Sequence, residues 1–116
     1  MIKIVPPTEP GSSEAHENLI KDILATFSSG PNLRLWKNST GSGKVNNRFL
    51  RWGLKGSADI IGVGLGGRFI AIEVKTGKSP QKEHQRNFQN MVIAMGGIYI
   101  VARSIDDVRN MINKNS

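Results

Sequence analysis

Leu19, Ile20, Ile23, Leu24 and Phe27 recur at the three- and four-residue spacing of one helical face. Ser12 and Ser13 stand ahead of that stripe as candidate N-caps. Glu14 and Glu17 fall where a helix dipole favours negative charge. Ser28-Ser29-Gly30-Pro31 ends the pattern. Leu33-Arg34-Leu35-Trp36 alternates and predicts a short strand. Residues 60–63 and 68–74 are β-branched runs around Gly64-Leu65-Gly66-Gly67, which predicts a hairpin. Ser79-Pro80 opens a second helical stripe through Phe88, Met91, Val92 and Met95, closed by Gly96-Gly97. Residues 98–102 read as a buried strand. Ser104 with Asp107 resembles a capping box, Asp replacing the usual Glu, ahead of a short helix through Val108, Met111 and Ile112. A helix, a three-stranded meander, then helix, strand and helix predict an α/β or α+β domain with a mixed central sheet flanked by helices.

Two segments do not fit that pattern. Residues 1–11 hold three prolines and a glycine and predict an extended lead-in. Residues 37–57 start with the loop-forming Asn38-Ser39-Thr40-Gly41-Ser42-Gly43, then interleave Lys44, Arg48, Arg51 and Lys55 with Phe49 and Trp52. A long basic loop in a small domain is expected to be either functional or disordered. The whole chain has 116 residues, enough for one domain with one core. Its net charge of +7 favours a polyanionic partner. No apolar run nears the roughly 20 residues of a membrane span, and Met1 to Pro7 lacks a signal-peptide core, so the expected setting is cytoplasmic and away from membranes. The absence of cysteine excludes disulfides, thiolate metal sites and Cys nucleophiles.

The acidic residues are placed unevenly. None occurs between Asp22 and Asp59, and only Glu73 lies between Asp59 and Glu83. Strand alternation sets Ile70, Ile72 and Val74 on one face and Ala71, Glu73 and Lys75 on the other. A turn centred on Gly66 sets Asp59 opposite Glu73, with Cβ atoms about 4.5–5.5 Å apart. Two carboxylates that close repel, and a divalent cation relieves the repulsion. Mg²⁺ or Mn²⁺, with a preference for oxygen ligands and retained waters, suits such a pair. A carboxylate pair plus a lysine is what metal-dependent phosphodiester hydrolysis needs: the cation polarises a phosphoryl oxygen and Lys75 adds a positive charge near the attacked phosphate. Taken singly, Asp59 also reads as a turn residue, and Glu73 with Lys75 as a solvated strand face. His16 and His84 lack ligand spacing to another His or Cys and read as non-catalytic, with His84, beside Gln85, kept as a candidate nucleic-acid contact.

Gly56-Ser57-Ala58-Asp59, Glu73-Val74-Lys75-Thr76-Gly77-Lys78, Ser79-Pro80, Gln85, Gly96-Gly97 and Ile98-Tyr99-Ile100-Val101-Ala102-Arg103-Ser104 occur in this order. From Glu17 to about Val108 the chain resembles the virus-type replication-repair nuclease (VRR-NUC) module of the PD-(D/E)XK superfamily. The resemblance implies a restriction-endonuclease-like αβββαβ core. It implies that Asp59, Glu73 and the Val74 carbonyl hold the metal, that Lys75 orients or activates water, and that Gln85 projects toward the same site. It also implies a helix-1 glutamate; Glu17 suits the spacing to Ile20, Ile23 and Leu24, with Glu14 as competitor. The chain departs from the superfamily pattern in lacking a proline before the aspartate.

The expected function is Mg²⁺- or Mn²⁺-dependent, structure-selective hydrolysis of DNA phosphodiesters, in line with the Holliday-junction resolvases that stand-alone members of the family resemble. Branched DNA is the expected partner, and a homodimer would bring two active sites to a junction. Lys37, Lys44, Arg48, Arg51 and Lys55 are the candidate phosphate contacts, and Trp52 and Phe49 read equally as stacking residues or as anchors of the loop to the core. A non-catalytic nucleic-acid-binding module, with Glu73 and Lys75 as a surface ion pair, is the alternative. A small basic protein using the loop for a protein partner is a third reading.

Overall fold

The computed structural model describes residues 13–115; the expected lead-in at 1–11 and the candidate cap Ser12 lie outside them. The elements run α1 (Ser13–Phe27), β1 (Leu33–Lys37), β2 (Gly41–Val45), β3 (Arg48–Trp52), β4 (Ile60–Gly64), β5 (Phe69–Val74), α2 (Glu83–Ala94), β6 (Ile98–Ala102) and α3 (Ile105–Lys114). The fold is α+β, with a mixed four-stranded sheet in the order β1-β4-β5-β6. β1, β4 and β5 form an antiparallel meander, and β6 returns parallel to β5 through α2.

β5 is covered on both faces because it is apolar on both, whereas on the α2 side of the sheet Trp36 of β1, Val63 of β4 and Phe69 at the start of β5 stay exposed. Ile70, Ile72 and Val74 of β5 join Ile20 and Ile23 of α1 and Val108 and Met111 of α3 in one cluster. Ala71, between them in sequence, lies on the opposite face with Ala58, Phe88 and Val92 of the α2 side. Fully burying each Val, Leu, Ile, Met or Phe side chain in these clusters contributes about 1.5–3 kcal/mol. The expected alternation along β5 is therefore present, but its second face is covered by a helix.

Two elements differ from the sequence expectation. The basic segment is not a loop. β2 and β3 pair as a two-stranded hairpin in register Gly41↔Trp52 through Val45↔Arg48. Asn46 and Asn47 turn it with φ of 52° and 65°, the left-handed pair that a tight hairpin turn requires and that asparagine tolerates. The hairpin is inserted between β1 and β4, whose facing ends are tied by Asn38 N–H to Asp59 C=O at 2.8 Å. The second difference is that α2 begins at Glu83 rather than at Ser79-Pro80. The segment before it is held in a non-helical path: Arg103 donates to the carbonyls of Gly77 (2.7 Å) and Ser79 (3.1 Å), and Gln81 to the Tyr99 hydroxyl (3.1 Å). Burial pushes the Tyr99 phenol up to about 12, so it remains a protonated partner for Gln81.

Candidate active site

β4 and β5 pair with Ile60 opposite Ile72, so one step beyond the ladder Asp59 stands across from Glu73. The Val74 N–H donates to Asp59 Oδ2 at 2.8 Å, which fixes the carboxylate over the end of β5. Glu73 is 5 % exposed and is the only buried charged side chain among the described residues. It is therefore not a solvated strand residue. Gln85, in the first turn of α2, donates from Nε2 to Glu73 Oε1 at 2.9 Å. Its own Oε1 accepts the Lys82 N–H at 2.8 Å and so caps the helix. One side chain thus starts α2 and anchors the buried acid.

The other oxygen, Glu73 Oε2, is buried with no hydrogen-bond partner. An acceptor left so costs about 1–3 kcal/mol, which marks the position as one that holds a proton or a cation. Burial first, and the Asp59 charge second, push the Glu73 carboxyl from its ordinary 4.5 up to about 8; Lys75 and Lys82 pull it down without cancelling the rise. Lys75 follows β5, half-buried, with its N–H on the Ala102 carbonyl at 3.0 Å.

α1 contributes a residue that the sequence reading set aside. His16 Nε2 lies 3.3 Å from Asp59 Oδ2, with both side chains about three-quarters buried. His16 precedes Ile20 and Ile23 by four and seven residues, so it shares the face they bury. That spacing was the signal by which it could have been found. Glu17 is turned to Lys37, whose Nζ donates to Oε2 at 3.1 Å, and Glu14 is exposed. Val74 enters through its N–H, its side chain lying in the core. The structure thus brings Asp59, Glu73, Val74, Lys75 and Gln85 together. It places Glu17 in an ion pair with Lys37.

Among the described residues no three or more His, Asp or Glu side chains gather as a cage for an ion. Two facing carboxyls, one with a bare buried oxygen, nonetheless suit a hard cation that keeps several waters.

The nucleic-acid candidates sit on and beside the hairpin. Register places Ser42, Lys44, Phe49 and Arg51 on one face and Val45, Arg48, Leu50 and Trp52 on the other. All five residues of β3 are exposed. The Trp52 ring lies over Gly41, where an added Cβ would come within 2.5 Å of it. A cleft lined by Thr40, Ser42, Arg51, Trp52, Lys55 and His84 separates the hairpin base from α2. Gly56 closes its floor; its φ of +82° and a Cβ position 2.2 Å from the His84 carbonyl leave room only for glycine. Lys37, Lys44, Arg48 and Lys55 are exposed to solvent.

The chain matches no protein-family model and no curated protein. No helix among the described residues is long and apolar enough to cross a membrane.

Proposed function

We propose that the protein is a metal-dependent, structure-selective DNA endonuclease of the VRR-NUC type, with a restriction-endonuclease-like core, acting on branched DNA such as four-way junctions. The observation that carries this reading is Glu73: a buried carboxyl facing Asp59, anchored by Gln85 and carrying one oxygen with no partner. A purely structural acid at this position is far more often paired.

Asp59, Glu73 and the Val74 carbonyl are the ligands for Mg²⁺ or Mn²⁺ in this reading, with Glu17 outside the set as long as Lys37 holds it. A divalent ion held there would polarise a phosphoryl oxygen and would lower the pKa of water. In the hydrolysis a water oxygen bonds to phosphorus, a P–O ester bond breaks, and the proton released by water balances the one taken up by the leaving alkoxide. Lys75 holds positive charge beside the attacked phosphate, where charge accumulates in the transition state. Gln85 keeps the Glu73 carboxylate in place. Lys44, Arg48, Arg51 and Lys55 neutralise phosphates away from the reacting bond, and Trp52 and Phe49 offer flat surfaces to unpaired bases.

The test is cleavage of labelled four-way junctions, flaps and duplex with Mg²⁺, with Mn²⁺ and with EDTA. Metal-dependent cutting of branched substrates is expected. Asp59→Asn and Lys75→Ala should each lower the rate at least ~100-fold while leaving DNA affinity nearly unchanged. Equal cutting by the Asp59 variant would refute the site, and light scattering checks the homodimer that the family resemblance implies.

A further inference from the structure

We infer that His16 is a positioning residue for the metal site, acting through Asp59 and setting which of its two oxygens faces the ion. The inference rests on the reading of Asp59 and Glu73 as metal ligands and adds a residue that the family pattern does not supply. Both nitrogen contacts to the Asp59 carboxyl fall on the same oxygen: Val74 N–H at 2.8 Å and His16 Nε2 at 3.3 Å, each to Oδ2. With its proton on Nε2, the His16 ring donates to an oxygen that already holds one donor, and Oδ1 receives neither.

An oxygen engaged by two donors is a poor metal ligand, and its twin becomes the better one. The two contacts thus favour one-oxygen coordination by Asp59. That suits a small octahedral ion such as Mg²⁺ or Mn²⁺, whereas Ca²⁺ readily takes both oxygens of a carboxylate. Hydrogen bonds to ligating groups of this kind typically alter metal affinity by about 10- to 100-fold. His16 is well placed for the task. It sits on the same α1 face as Ile20 and Ile23, which are 2 % and 0 % exposed, so the buried stripe fixes its height over the sheet end. The link also joins α1, on one side of the sheet, to an acid whose partner Glu73 is anchored from α2 on the other.

The experiment is titration of the purified protein with Mn²⁺, followed by electron paramagnetic resonance of the free ion, and with Ca²⁺ by calorimetry, both without DNA. His16→Ala should weaken Mn²⁺ binding about 10-fold or more and narrow the preference for Mn²⁺ over Ca²⁺. His16→Gln, whose amide can still donate to Oδ2, should restore most of both. Unchanged Mn²⁺ affinity in His16→Ala, or a Gln variant no better than Ala, overturns the role. Asp59→Asn separates this failure from the larger one. If that variant binds Mn²⁺ like the wild type, the site itself is wrong and the role of His16 falls with it. If only the Asp59 variant loses the ion, the site stands and the His16 role is refuted.

Discussion

Glu73 follows Ile72 and precedes Val74, both essentially inaccessible to water, so its carboxyl is drawn into the sheet by neighbours that cannot leave. Its raised pKa gives the protein a signed pH dependence. The folded state keeps a proton that the unfolded chain releases above about 4.5, so the contribution to stability is full below that pH and is lost as pH rises through about 8. Urea unfolding in EDTA at pH 5 and at pH 8.5 should show this decline, and Glu73→Gln, neutral at both, should flatten it. In the proposed site the same proton would compete with a bound cation. Below pH 8, binding of Mn²⁺ should release about one proton per ion, read by calorimetry in buffers of different ionisation enthalpy. Asp59 and Glu73 were legible from the sequence because their isolation and their symmetric distance from Gly66 are one-dimensional facts. His16 is legible only as a helical-face neighbour of Ile20 and Ile23, because a lone histidine without ligand spacing to another carries no metal signal along the chain.

At the scale of elements, the β2–β3 hairpin is the least predictable part and the easiest to remove. Gly41, Ser42 and Gly43 read as loop because each lacks β-propensity; what makes the strand is pairing with β3 and a Trp52 ring seated over Gly41. The strands pack mainly on each other, and Asn38 and Asp59 already close the gap below them. Replacing Gly41–Trp52 by a short glycine linker should therefore leave a folded protein that still binds Mn²⁺ through Asp59 and loses most of its DNA affinity. Gel shift against Mn²⁺ titration separates the two effects. Within the hairpin, Trp52→Leu should weaken binding to DNA with unpaired bases by roughly 5- to 100-fold, the value of one stacked base, and change duplex binding little. Gly41→Val, which must displace the indole, should reproduce that selective loss without touching an aromatic residue. Equal loss of duplex and unpaired-base binding would show that the ring only anchors the hairpin, and loss of neither would show that it takes no part in binding.

Across the whole molecule, the helices and the sheet followed from apolar spacing, since Ile20, Ile23, Ile72, Val108 and their neighbours need burial whatever their context. The start of α2 did not follow, because Arg103, a residue two elements away, holds the preceding backbone in a non-helical path. The candidate site inherits this layered construction: His16 comes from α1, Asp59 from the start of β4, Glu73 from the end of β5 and Gln85 from α2. An ion bound there joins all three layers, and binding only to the folded chain stabilises it by RT ln(1 + [ion]/Kd). At an ion concentration about 100 times Kd this amounts to about 2.7 kcal/mol, which for a domain of this size corresponds to a Tm rise of roughly 8–15 °C. The rise should be larger at pH 8 than at pH 5, where the proton on Glu73 must first be displaced, and absent in Asp59→Asn. Differential scanning calorimetry with and without Mn²⁺ measures it directly. A Tm that ignores Mn²⁺ at both pH values would mean that the two acids face each other for a reason other than holding a metal.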